Sequence, residues 1–119
     1  MTKKITNYAR GMVAEIYALL FLFVKGYRLH AWRYKTHVGE VDLIVRRRNI
    51  LVFVEVKLRP TLDEACQSIS PQMKSRISRA ARYYMAKNAG DWTGECRFDV
   101  VAVAGWRLRH LDNAWFPPT

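Results

Sequence analysis

Two β-branched runs, Glu40 to Arg46 and Ile50 to Leu58, flank a short basic turn and read as the arms of a hairpin. Strand interiors rarely carry charge, yet these arms hold Asp42, Glu55 and Lys57. Alternate residues of a strand share a face. Glu40 and Asp42 therefore point one way and Val41, Leu43 and Val45 the other. Glu55, Lys57 and Arg59 likewise oppose Val54, Val56 and Leu58. An even loop, at Arg48-Asn49 or from Arg47 to Ile50, makes the numbers of cross-strand partners sum to 97 and sets Asp42 opposite Glu55. An odd loop without a bulge would put them on opposite faces.

Like charges facing one another across a hairpin destabilise it. A hard divalent cation reverses the sign of that interaction. Mg²⁺ takes oxygen ligands, including one or two protein carboxylates, and leaves room for phosphate and water. Asp42 and Glu55 fit as ligands, and the Val56 carbonyl offers a further oxygen. Lys57 projects to the face of Glu55, where an ammonium can orient an attacking water and offset charge building on a phosphate. The plainer reading is a solvated strand face with an ordinary ion pair.

The 119 residues fit one domain, 1–119, and half are hydrophobic, enough for a core. Twenty Lys+Arg against ten Asp+Glu give a formal charge of +10, which favours a polyanionic partner, nucleic acid before an anionic membrane surface. Cys66 and Cys96 form no pair of zinc spacing and read as reduced thiols. Met12 to Val24 is apolar apart from Glu15 and shorter than the ~20 residues of a spanning helix. It reads as a buried core helix of a cytoplasmic protein, without membrane insertion.

That first helix is expected from about Asn7 to Val24, stopped by Gly26. Glu15 lies on a stripe with Gly11, Met12, Ala18, Leu19 and Leu22, where a lone charge is costly. It either completes the metal shell from across the sheet, directly or through water, or pairs with Arg10 or Lys4. Strands are expected at Tyr27 to Tyr34, Arg97 to Ala104 and Trp106 to Leu111, and a polar connection from Arg59 to Ile69. Ser70-Pro71 opens a second helix, with Ser at N-cap and Pro at N1, and Gly90 closes it. Met73, Ile77, Ala80, Ala81 and Tyr84 form its core face. The order α-β-β-β-α-β-β makes an α/β sandwich around a mixed five-stranded sheet. Pro117-Pro118 makes a rigid tail.

The motifs Gly39-Glu40-Val41-Asp42-Leu43-Ile44 and Phe53-Val54-Glu55-Val56-Lys57-x-Arg59 resemble the signature of the YraN-like family of endonuclease-type proteins. That family is a branch of the PD-(D/E)XK superfamily, which includes archaeal-type Holliday junction resolvases and restriction endonucleases. Gly11-x-x-x-Glu15-x-x-Ala18 with Gly26-Tyr27, Lys74 and Ala81, Cys96 to Ala102, and Asn113-Ala114-Trp115 extend the likeness over nearly the whole chain. Val41 stands where the superfamily's name has Pro. The resemblance implies a restriction-endonuclease-like fold with Asp42, Glu55 and Lys57 as catalytic core and Glu15 as the helix acid. It also implies Mg²⁺, replaceable by Mn²⁺, and DNA, with branched or flap structures in repair or recombination as the substrates in view. A homodimer is expected by analogy with resolvases.

Arg46, Arg47 and Arg48 are expected at the hairpin tip beside this site, with Arg59, Lys74 and Arg76 as further phosphate contacts. Trp32, Trp92, Trp106 and Trp115 read as core or interface residues, and His30, His37 and His110 as structural or surface residues. The competing function is a non-catalytic nucleic-acid-binding repair-accessory module of the same fold. A third is a protein-interaction or membrane-surface module using the apolar helix.

Overall fold

A computed structural model describes residues 7–88 and 94–116. The expected helix stop at Gly90, the Pro117-Pro118 tail and Trp92 lie outside the described residues. The elements are α1 (Asn7–Val24), β1 (Arg28–Thr36), β2 (Gly39–Arg47), β3 (Ile50–Leu58), α2 (Leu62–Gln67), α3 (Pro71–Asn88), β4 (Glu95–Ala104) and β5 (Arg107–Trp115). One five-stranded sheet runs in the order β1-β2-β3-β4-β5. All neighbours are antiparallel except β3 and β4, whose parallel pairing is made by the α2-α3 crossover.

The expected order holds with one addition. α2 occupies part of the polar connection, and its signal was the capping box Thr61-Leu62-Asp63-Glu64. Thr61 Oγ1 accepts from the Glu64 N–H at 3.1 Å. Six residues are too few to display a helical period, so the cap was the only cue.

Each face of the sheet carries its own core. On one, Ala14, Ala18 and Leu22 of α1 pack on Leu43, Val45, Val52, Val54, Val101 and Val103. On the other, Ile77, Ala80, Ala81 and Tyr84 of α3 pack on Val41, Ile44, Phe53, Phe98 and Val100. Ser70 Oγ caps α3 by accepting from the Met73 N–H at 3.1 Å. At the end of α1, Gly26 takes φ +97, and the bonds Gly26 N–H to Phe23 O and Tyr27 N–H to Leu22 O, both 3.0 Å, form a Schellman motif.

The reading of α1 as a buried core helix is corrected. Its inner stripe is narrow, and Val13, Leu20, Phe23 and Val24 are 56–85% exposed on its outer side. By length and composition alone α1 passes for a membrane-crossing helix, with mean hydropathy 1.3 over 18 residues.

Gly39 opens β2 beneath α3. A Cβ there would overlap the backbone carbonyl of Arg76, which cannot swing away as a side chain would. Gly39→Ala is therefore expected to push α3 off the sheet and to lower the unfolding free energy by about 1–3 kcal/mol. Urea unfolding measures this, and an unchanged midpoint would refute the tight approach.

Candidate active site

The β2–β3 hairpin has the expected even register. Arg47 pairs with Ile50 across the two-residue turn Arg48-Asn49, and Leu43 with Val54 at the other end. Beyond Leu43 the ladder stops and the strands fork. Asp42 fills the fork, its Oδ2 accepting from the Val56 N–H at 2.8 Å. The N–H and C=O of one strand residue point to the same edge, so the Val56 carbonyl also turns toward this gap. One expectation fails here. Val41 packs on the α3 face with Ile44, while Leu43 and Val45 pack under α1. Strict alternation of faces therefore does not extend across Asp42.

Asp42 and Glu55 meet in the fork, as the register required. Burial first, and then the charge of Glu55 and a hydrogen bond with it, push the Asp42 carboxyl from 3.8 up to about 8. Glu15 adds to this by its charge. Lys57 answers in part, with Nζ 3.2 Å from Glu55 Oε2. Glu55 is itself 8% exposed.

Glu15 stands on the buried stripe of α1, as expected, and pairs with Trp32 and Arg33 rather than with Arg10, while Lys4 lies outside the described residues. Its Oε1 accepts from Trp32 Nε1 at 2.6 Å and from Arg33 Nε at 2.8 Å. Consecutive strand residues ordinarily face opposite sides. Arg33 takes φ 55, a left-handed conformation that turns it to the same side as Trp32. Sequence reasoning missed both donors, because this backbone irregularity leaves no mark on the pattern of residue types.

Three hollows open around the fork. A cleft of about 700 Å³ runs between the start of α1 and the end of β3, walled by Arg10, Gly11, Glu15, Val56, Lys57 and Arg59. A second, of about 250 Å³, is bordered by Glu15, Arg33, Lys35, Glu40 and Asp42. A third, of about 70 Å³, lies under α3 between Glu40, Glu55 and Arg76.

The basic residues divide. Arg59 walls the large cleft and Arg76 the hollow beside Glu55, which suits their expected role. Lys74 is half-buried on α3, and its carbonyl accepts from Ser78 Oγ. Arg46, Arg47 and Arg48 are at the hairpin tip but not beside the site. Asp42 lies in the first half of β2, four or more residues away, or at least about 13 Å at strand rise. At the tip, distal to the fork, Arg47 donates to the Lys25 carbonyl at 3.2 Å and stacks on Tyr27.

Next to that distal end is a second polar cluster that the sequence did not announce. Asp99, 0% exposed, accepts from Arg97 Nε and Nη2, both at 2.8 Å, and from the Asn113 N–H at 3.0 Å. His110 Nε2 lies 2.7 Å from its Oδ2, which bears out a structural role for that histidine. His37 packs edge-on against Tyr83. Trp115 is core, stacked on Phe98, whereas Trp106 is 88% exposed and is no core residue. Cys66 and Cys96 are free thiols.

The donor set in the fork suits a hard divalent cation. It offers two carboxylates and a carbonyl in one gap, and burial together with the charge of Glu55 makes Asp42 hold its proton near neutral pH. Among the described residues no group of three or more His, Cys, Asp or Glu side chains gathers around one point, because Glu15 is taken by Trp32 and Arg33.

The model of the family described as "Uncharacterised protein family UPF0102" matches residues 14–103. Among curated relatives, a "UPF0102 protein" of Paramagnetospirillum magneticum is 46% identical over 111 residues, 89% of this chain and 86% of the relative. Another, of Rhodopseudomonas palustris strain BisB5, is 40% identical over 114 residues, 95% of this chain and 87% of the relative. A third, of Caulobacter sp. strain K31, is 42% identical over 106 residues, 88% and 76% of the two chains.

Proposed function

The chain belongs to the uncharacterised protein family UPF0102, the YraN-like family, and from that membership and the fork geometry we propose that it is a Mg²⁺-dependent endonuclease of the PD-(D/E)XK superfamily that hydrolyses DNA phosphodiester bonds. The observation that carries this reading is the buried Asp42–Glu55 pair, in which burial first and the charge of Glu55 second lift Asp42 to about 8, with Lys57 alongside. Structural ion pairs seldom leave two carboxylates facing each other in a cleft.

In this reading Asp42, Glu55 and the Val56 carbonyl hold the ion, with Mn²⁺ an acceptable replacement. Bound Mg²⁺ supplies Lewis acidity toward the phosphate and lowers the pKa of a coordinated water. Lys57 orients the attacking water and balances charge on the phosphate. Glu15, fixed by Trp32 and Arg33, stands behind the pair. Arg59, Arg76 and Arg10 track the DNA backbone on either side, giving affinity without sequence preference. The competing reading, a DNA-binding module that does not cut, draws on one observation: no third acidic side chain joins Asp42 and Glu55 at one point among the described residues.

Ion binding is tested without DNA. A ligand that binds only the folded state raises the melting temperature with the logarithm of its concentration once that exceeds the dissociation constant. Asp42 must lose its proton to bind, so Mg²⁺ or Mn²⁺ should raise the melting temperature more at pH 8.5 than at pH 6. Asp42→Asn should abolish the effect. A wild-type protein whose melting ignores both ions at both pH values would remove the metal from the proposal.

A further inference from the structure

Trp106 is placed where a core residue would be wasted. It sits at the β4–β5 turn beside Gly105, which takes φ +60, and is 88% exposed. It is nonetheless held. Tyr17 meets its ring edge-on at 6.1 Å between centroids, and the Tyr17 hydroxyl donates to the Trp106 carbonyl at 2.7 Å. The ring is thus steadied by its perpendicular contact with Tyr17 and through its backbone, while most of its surface remains toward solvent. Below it an apolar hollow of about 240 Å³ is walled by Val13, Tyr17, Leu58 and Val103, with Arg10 at the rim. Arg10, Ala14 and Leu58 also wall the large cleft that holds Lys57 and Arg59. The hollow is therefore a side chamber of the candidate active site.

We propose that Trp106 and this chamber receive an unpaired nucleobase next to the phosphate that enters the fork. This rests on the nuclease reading for its substrate and sharpens it, because a base inside a duplex presents only its edges and cannot stack on a protein ring. The chain would then act where strands are unpaired, as at a flap, gap or branch. Three observations favour a nucleotide here over a protein or lipid. The hollow is smaller than the roughly 300 Å³ at which pockets for drug-sized ligands begin, so it suits one planar ring system. Its rim and the adjoining cleft carry Arg10, Arg59 and Lys57, which complement a phosphate on either side of that ring. The pairing of a fixed aromatic face with a cationic track is the arrangement that binds single strands irrespective of sequence.

The test uses the full chain in EDTA, so that its result does not depend on cutting. A fluorescently labelled ten-nucleotide oligo(dT) and a blunt duplex of equal length are titrated at one salt concentration, and binding is followed by polarisation. Trp106→Ala is expected to weaken oligo(dT) binding about tenfold or more and to leave the duplex unchanged. Trp106→Phe should keep most of the single-strand affinity, which also shows that the turn still folds. Equal loss for both DNAs, no loss for either, or a change only in the association of one copy with another would overturn the platform. Retained single-strand preference without metal-dependent cutting would instead leave the platform standing and remove the nuclease.

Discussion

Asp42→Asn is expected to stabilise the metal-free protein and at the same time remove the metal-dependent cleavage proposed for it. In the folded state burial and Glu55 hold Asp42 at about 8, against 3.8 for an ordinary aspartate. A group whose pKa is raised by folding binds its proton more tightly in the native state. Its contribution is present in full below about pH 4 and is lost as the pH rises toward 8. Above that range the folded protein carries two opposed carboxylates that the unfolded chain keeps apart in water. An amide removes this cost. The gain should be several kcal/mol at pH 9 and close to zero at pH 4. Cleavage should fall by roughly a thousandfold or more, the scale of losing a group that organises several kcal/mol of charge stabilisation. Thermal melting of both proteins across this range, beside a cleavage assay, reads both effects. A variant less stable than wild type at pH 9 would mean that Asp42 is a structural acceptor for Val56 first and a metal site second.

In the middle of β4, level with Val54, the sign is reversed. Asp99→Ala is expected to cost about 3–5 kcal/mol, because it strips a half-buried guanidinium of its bidentate partner. Burial alone would raise the Asp99 carboxyl, but His110, Arg97 and the Asn113 N–H bring it below its usual value. The partner shift agrees: the hydrogen bond to Asp99 raises Arg97. A depressed carboxylate stabilises the fold above its ordinary pKa and loses that contribution as the pH falls through the lower, folded value. Acid should therefore weaken this cluster. The position also fixes the β5 bulge, since Asn113 takes φ 53 to present its N–H to Asp99. Urea unfolding of Asp99→Ala at pH 7 measures the loss. A cost below about 1 kcal/mol would show that Arg97 finds water or Tyr27 sufficient.

These two aspartates mark what the sequence made legible. Asp42 was readable because an even turn between two alternating runs leaves few registers, and its partner Glu55 follows by counting. Glu15 was readable because a helix repeats its faces, so a charge on a narrow apolar stripe stands out. The Ser70-Pro71 start of α3 was readable from cap chemistry alone. Asp99 was not, because its partners Arg97, His110 and Tyr27 come together only when β4, β5 and the end of α1 are assembled. Arg33 was hidden by its left-handed φ, and Val41 because it packs with the α3-side core where the β2–β3 ladder has already ended. The arginine cluster was misplaced for a plainer reason: a hairpin's tip lies at the far end from residues near the start of its first arm.

The central claim is that the fork cuts DNA with a bound divalent ion. Its most direct test incubates the purified full chain with labelled forked, flapped and four-way DNA in Mg²⁺, in Mn²⁺ and in EDTA, beside Glu55→Gln. Cutting in either ion, none in EDTA and none by the variant, which still binds the DNA, is the expected result. Absence of metal-dependent cutting, or cutting that the variant performs at the wild-type rate, would contradict the assignment of Asp42, Glu55 and Lys57 to catalysis.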